Sequence, residues 1–309
     1  MLFYSFAKNI QMSNKVKAHV ALLLANVIYG LNFFVVKEVV PANMNPYALT
    51  VIRAVGALFF FWLSGFWMKI QKIDKSDKRK LFIGGILGVT ISQTLLIVGL
   101  SHTSSINASI IMTTSPLFVL LVAAIYLKMK LTFAKLFGIF IGAVGAILVI
   151  TSNGSFSITN KTLIGDLVIL MNAISYAVYL VWTKPLMEKY DSFTVMRWMF
   201  FYGAIVMCLC GGYFMFDVTY SAIKPIIWIA IFFIVFGATF LTYLFNVYGL
   251  KFVNPTTVSV YIYLQPIIAS LLAVFIKDDS ITWVKFFSIL MVFVGVYFVS
   301  IFNRHKSIQ

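Results

Sequence analysis

Acidic residues are scarce in this chain: nine Asp and Glu stand against 24 Lys and Arg in 309 residues. None of the nine (Glu38, Asp74, Asp77, Asp166, Glu188, Asp191, Asp217, Asp278 and Asp279) falls in the middle of an apolar run. That disfavours a proton relay or a cation site built on a buried carboxylate. Asp166, directly after Gly165 at the head of a run, is expected to cap a helix. Histidine is limited to His19, His102 and His305, and cysteine to Cys208 and Cys210. Scattered in this way they form no metal cluster. Cysteines two residues apart on a helix point to different faces, so no disulfide is expected either. A phosphate-cradling glycine loop with its lysine is also missing, so the chain carries no ATP-driven motor. With no nucleophile beside a base, neither an enzyme nor a cofactor is expected. Charged residues amount to only 11% and hydrophobic ones to 61%, against about 25% and about 45–50% in soluble domains. A water-facing surface cannot be made from that composition, and a soluble domain, a disordered chain and a nucleic-acid-binding module are excluded.

What the chain has is long apolar runs. A membrane helix uses about 20 mainly apolar residues, and the runs between polar breaks lie near 18–38, 46–68, 81–101, 105–127, 132–151, 163–186, 193–216, 226–250, 256–276 and 281–302. The first run meets Lys37 and Glu38 with no small-residue cleavage site before them, so it is read as an uncleaved span. The sequence therefore predicts an all-α polytopic membrane protein of ten transmembrane helices.

Net charge is +15, and its placement sets the orientation, because Lys and Arg in short loops favour the cytoplasmic side. With the N-terminus inside, the inner segments collect Lys8, Lys15, Lys17, Lys69, Lys72, Lys75, Lys78, Arg79, Lys80, Lys128, Lys130, Lys135, Lys184, Lys189, Lys251, Arg304 and Lys306. The outer segments hold Lys37, Lys161, Lys224 and Lys277. Both termini are accordingly predicted to be cytoplasmic, with the protein multi-pass in the plasma membrane of a bacterium, its inner membrane.

The chain also repeats itself. At an offset of 150 residues Ser109 meets Ser259, Pro116 meets Pro266, Thr132 meets Thr282, Lys135 meets Lys285 and Gly145 meets Gly295. Near the start of each half the offset drifts, so that Tyr29 and Lys37 face Tyr176 and Lys184, and Arg53 faces Arg197. Five spans per copy is an odd number, so the second copy enters the membrane in the opposite sense and the halves form a 5+5 inverted repeat. Such repeats build secondary transporters with a site between the halves near the midplane. The predicted organisation is a tail at 1–17, a first repeat at 18–151, an external linker at 152–162, a second repeat at 163–302 and a tail at 303–309.

Tyr29-Gly30-Leu31-Asn32, Gly99-Leu100 followed by Thr103-Ser104, Ala108-Ser109, Ser115-Pro116-Leu117-Phe118 and Leu131-Thr132 together resemble the EamA repeat of the drug/metabolite transporter superfamily. Gly165-Asp166-Leu167, Tyr176-Ala177 with Tyr179, Gln265-Pro266 and Ile281-Thr282 echo it in the second copy. One position departs from the pattern: the acid often found before the Leu-Thr turn is Met129 in the first copy, while Asp279 fills the matching place in the second. The resemblance implies ten helices, inner termini, and a central cavity lined by spans 1, 3, 4, 6, 8 and 9. It also implies export or exchange of amino acids and other small metabolites. The fold alone does not name the solute.

Polar residues inside the spans are the candidate substrate contacts. Ser259, Tyr263, Pro266 and Ser270 share one helical face, matched by Ser109, Thr113 and Pro116 in the first half. Proline within a span frees a carbonyl one turn earlier, so Pro116 and Pro266 are expected to mark bends, either beside a cavity or between packed helices. Thr242, Tyr243 and Asn246 (with Thr239), Asn172, Tyr176 and Tyr179 (with Ser175), and Gln265 add to the second-half set. Asn26, Tyr29, Asn32 and Gln93 (with Ser92 and Asn107) supply the first-half set. Amide and phenol groups can hydrogen-bond a small amphiphilic solute while rings cover its apolar side, and they can equally bond helix to helix. Arg53 and Arg197 lie about two turns inside their spans, where a charge costs about 2.5–3.5 kcal/mol at the midplane. Each is read as a gate or anion contact, or as an anchor whose head reaches the lipid surface. Gly138-x-x-x-Gly142 allows close helix approach, within the monomer expected or, in the lesser reading, in a homodimer.

The function read from the sequence is a secondary carrier for a small polar metabolite such as an amino acid, with the metabolite and the lipid bilayer as partners and no nucleic acid. The alternative is a flippase for a lipid-linked sugar, and a membrane enzyme or scaffold comes after both.

Overall fold

The computed structural model describes residues 13–66, 70–126, 128, 133–151, 161–276, 282–284, 286–291 and 294. These residues form no strand, and their helical rods are α1 (Asn14–Val39), α2 (Pro46–Phe66), α3 (Lys75–His102), α4 (Ser105–Tyr126), α5 (Phe133–Thr151), α6 (Lys161–Lys189), α7 (Ser192–Met215), α8 (Pro225–Phe252) and α9 (255–276), with helical residues again at 283–284 and 286–291. Seven of them, α1 to α4 and α6 to α8, are long and apolar enough to cross a membrane. Residues 1–12 of the predicted N-terminal tail, residues 152–160 of the linker, most of the predicted span 281–302 and the C-terminal tail lie outside the described residues, while residues 14–17 of the first tail and 161–162 of the linker are already helical.

Each helix begins where the sequence breaks its apolar runs. Side-chain oxygens of Ser13, Asn45, Ser104 and Asp191 accept the backbone N–H groups of Val16, Tyr47, Asn107 and Thr194. They satisfy donors that a helix start leaves unpaired. Pro46 and Pro255 occupy first turns, where a missing N–H costs nothing. Several rods run past their apolar cores: α3 starts six residues before the predicted 81, on the polar Lys75–Lys80 turn. The fold is apolar outward and polar inward. Leu24, Phe59, Phe140, Leu209, Ile229 and Phe232 are exposed, whereas Asn26, Asn32, Gln93, Asn172, Asn246 and both Arg53 and Arg197 are buried. That is the arrangement a hydrocarbon solvent selects.

Packing between the halves is reciprocal. Helix α1 lies mainly against α8 and α9, and α6 against α3 and α4; α2 and α7 pack on each other, and each also touches the other half's third helix. Lys37 Nζ donates to Thr103 O at 2.9 Å, and Lys184 Nζ to Leu250 O at 2.9 Å. Val253, the counterpart of Thr103 at the 150-residue offset, also accepts from Lys184 Nζ, at 3.5 Å. The repeat extends to irregularities: α3 and α8 each widen into π-type turns, at Ile86–Ile91 and Phe233–Leu241. Helix α4 breaks at Thr113 and Thr114, and α9 tightens at Tyr261–Tyr263. The irregular turns of α4 and α9 come shortly before Pro116 and Pro266, where proline withholds a donor. In α5, a Cβ on Gly142 would come within 2.3 Å of Leu117 Cδ1, so this glycine serves packing inside the chain.

Asp166 corrects one expectation. It is fully buried, five residues past the first residue of α6, and accepts hydrogen bonds from Thr103 Oγ1 and from Asn107 Nδ2 at 3.4 Å. It ties α6 to the α3–α4 corner and does not occupy the cap position, because the helix already begins at Lys161, more than a turn before it. At the lysine-rich end, Lys189 bonds Asp77 at 2.6 Å, Lys80 pairs with Asp77 at 3.0 Å, and Tyr190 OH donates to the same carboxylate at 3.0 Å. Asp77 is nearly inaccessible while Lys80 and Lys189 are about half exposed. Asp77→Ala, which strands the tyrosine hydroxyl, is expected to destabilise the protein by about 1–3 kcal/mol. Thermal unfolding of the detergent-solubilised protein reads this directly, and a wild-type midpoint would show that the cluster contributes nothing.

Candidate functional site

The wide turns of α3 and α8 supply the centre of the bundle with backbone acceptors, because i→i+5 bonding leaves carbonyls displaced from the ordinary helical ladder. Gly88 O accepts Tyr243 OH at 2.6 Å and Leu87 O accepts Ser175 Oγ at 3.0 Å. Ala238 O accepts Thr242 Oγ1 at 2.9 Å. No proline marks these turns, and sequence periodicity gives no sign of them.

Between these segments lies a central cavity of about 40 Å³, room for a few waters and far below the roughly 300–1,000 Å³ of a metabolite pocket. Of the predicted contacts, Tyr29 and Asn32 (α1), Gln93 (α3), Asn172 and Tyr176 (α6), Tyr243 (α8) and Gln265 (α9) line it. Spans 1, 3, 4, 6, 8 and 9 all contribute, α4 through Met112. The addition is α2, through Arg53. Phe33, Leu96 and Ile262 complete the apolar part of the wall. Sequence reasoning did not single these out, since nothing separates them from lipid-facing neighbours of the same type.

Some lining residues are bridged. Ser92 Oγ donates to Asn172 Oδ1 at 2.7 Å, whose Nδ2 reaches Met112 Sδ at 3.3 Å. Gln265 Nε2 donates to Asn26 Oδ1 at 2.7 Å. Others are not: Asn32 Oδ1, both amide atoms of Gln93, and Arg53 Nη1 are buried without a hydrogen-bond partner. Buried polar groups are almost always paired, and an unpaired one calls for water, an ion or a ligand. Three such groups around one small cavity mark it as the candidate binding site.

The remaining predicted residues lie outside the cavity wall. Ser109, Thr113, Thr242, Asn246 and Ser259 donate to carbonyls three or four residues back in their own helices, as short polar side chains do in apolar surroundings. Asn26 bonds Leu22 O and holds Gln265. Tyr179 OH reaches Met196 Sδ at 3.8 Å, and Tyr263 OH bonds Thr113 O at 3.1 Å, joining α9 to α4. Side-chain contacts of Ser270 fall outside the described residues. Arg197 is also apart from the cavity: its Nε donates to Phe61 O at 3.1 Å and its guanidinium lies 5.6 Å from the Trp62 ring centre.

Two larger openings flank the centre. At the lysine-rich end a cleft of about 860 Å³ runs between α1, α7 and α8, with Ala21, Asp191, Phe193, Tyr248 and Lys251 on its walls. At the opposite end the loops Pro41–Asn45 and Asp217–Ile223 enclose about 420 Å³.

A family model described as the EamA-like transporter family matches residues 16–151 and again 163–301. An uncharacterized transporter of Archaeoglobus fulgidus is 26% identical over 290 residues, covering 91% of this chain and 96% of the relative. The uncharacterized inner membrane transporter YicL of Salmonella typhimurium is 21% identical, covering 96% and 99%. A solved crystal structure has the same fold at a TM-score of 0.65 and 17% identity, over 94% of this chain and 98% of that one. Matched once by each of its halves, the chain is a multi-pass membrane protein that belongs to the EamA-like transporter family.

Proposed function

We propose that this protein is a secondary carrier that moves a small polar or amphiphilic metabolite, an amino acid or a related compound, outward across a plasma membrane such as the bacterial inner membrane. The reading takes residues 18–151 and 163–302 as two inverted repeats of five spans, both termini inside, joined by an external linker at 152–162. Alternating access then opens the site to one face at a time. The supporting observation is the small central cavity with its unpaired amide and guanidinium groups. A site too small for a metabolite, with larger openings on either side, is the geometry of a carrier between its open forms.

Asn32→Leu and Gln93→Leu replace unpaired polar groups by apolar ones of similar size, so folding tolerates them and binding does not. Each is expected to lower saturable flux into proteoliposomes at least tenfold while the purified protein stays monodisperse. Wild-type flux in both variants would remove the cavity from the transport path.

A further inference from the structure

Among the groups lining the central cavity, Arg53 alone carries a full charge. It is 1% exposed, and its guanidinium keeps its proton in any protein environment. Nε donates to Thr239 Oγ1 at 3.0 Å and Nη2 lies 3.5 Å from Ala238 O, both neutral acceptors on the wide turn of α8. Nη1 has no partner. Among the described residues no carboxylate pairs with this side chain; the ion pairs there belong to Lys80, Lys184 and Lys189. A buried cation held only by neutral groups lacks the counter-charge that normally accompanies burial.

We propose that the transported solute supplies that counter-charge: it carries an oxyanion, a carboxylate or phosphate, and Arg53 is its anchor. This rests on the carrier reading and goes beyond it by naming the substrate's charge and the residue that reads it. A guanidinium with a free N–H edge is suited to oxyanions, which accept hydrogen bonds as well as charge. Helix α2 thereby joins the binding wall. The duplicated position does not share the role, since Arg197 is spent on the Phe61 carbonyl and the Trp62 ring. The site consequently holds one oxyanion, on the side of α2, and the opposite wall is left to amides and phenols.

The test uses the full-length protein and, as probes, the metabolite pool of cells that overproduce or lack it. Inside-to-outside ratios are measured by mass spectrometry and sorted by whether the solute carries a carboxylate or phosphate. The solute that shifts most is then loaded into proteoliposomes beside its neutral counterpart, the carboxamide of an acid or the dephosphorylated form of a phosphate, which tells the two oxyanions apart. Wild-type protein is expected to move the anion at least tenfold faster than its counterpart. Arg53→Gln should lose at least tenfold of the anion flux and bring the ratio towards one, with Arg53→Lys retaining part of the preference. Equal wild-type flux of the oxyanion-bearing solute and its counterpart, shifts confined to solutes that carry neither carboxylate nor phosphate, or an unchanged ratio in folded Arg53→Gln would each overturn the assignment. The wild-type comparison decides even if Arg53→Gln does not fold. Wild-type vesicles no more permeable than protein-free ones would instead strike the carrier reading itself, and this inference with it.

Discussion

Gly85→Leu is expected to leave almost no folded protein. A Cβ at position 85 would lie 2.4 Å from Met199 O and 3.2 Å from Gly203 N, both backbone atoms of α7. On the facing side, a Cβ on Gly203 would meet Gly85 O at 2.8 Å and Val89 Cβ at 2.6 Å. The two helices therefore touch backbone to backbone, the contact small residues permit in membrane bundles. No side-chain rotation can relieve a clash with a carbonyl. Excess core volume ordinarily costs about 1–3 kcal/mol when neighbours can shift; here the whole of α3 would have to lift from α7. Lifting it breaks the Thr90 Oγ1 to Gly203 O bond of 2.9 Å and loosens the wide turn that presents Gly88 to the centre. Size-exclusion profiles of the solubilised protein should show aggregate for Gly85→Leu and also for Gly85→Ala, which carries the same clashing Cβ. A wild-type peak for the leucine variant would mean that the helices do not meet at this point.

Tyr243→Phe should produce the opposite pattern, a folded protein that transports poorly. The Tyr243 ring packs 5.9 Å from that of Tyr179 and edge-on to Phe200 at 5.2 Å, and phenylalanine keeps both contacts. The change removes the bond from the hydroxyl to Gly88 O, a buried link between the third helices of the two halves. Leaving a buried acceptor unpaired costs about 1–3 kcal/mol, or roughly five- to 150-fold on an equilibrium between carrier forms. Flux is expected to fall at least tenfold with a thermal midpoint only a few degrees lower. Tyr179→Phe, which gives up a long contact to Met196 Sδ, should stay near wild type. Equal flux in both variants would show that the Tyr243 hydroxyl takes no part in the cycle.

The spans were legible because hydrocarbon imposes one rule along the whole chain, and rods such as Ser105–Tyr126 and Ser192–Met215 begin and end within a residue or two of the apolar runs. The duplication was legible from Pro116 and Pro266, which sit just after matched irregular turns. Which face of each helix turns inward was only partly legible. Tyr243 and Asn246 look alike in sequence, yet one reaches across to α3 and the other bonds its own helix. The widened turns at Ile86–Ile91 and Phe233–Leu241 shift the phase of every residue after them, so a 3.6-residue wheel misplaces the rest of each helix. Arg53 and Arg197 occupy matched positions and were indistinguishable as letters. Their different roles arise from what surrounds them, Thr239 and an open cavity for one, Phe61 and Trp62 for the other.

The crosswise packing of the halves bears on how the protein is made. Asn26 finds Gln265, and Arg53 finds Thr239, only after most of the chain has left the ribosome. Until then the first half sits in lipid with an amide and a guanidinium that lack these partners, the charge costing a few kcal/mol until its partner arrives. Neither half is a finished object, and a chain cut at the linker would be rescued by supplying both pieces to the same membrane and by neither piece alone.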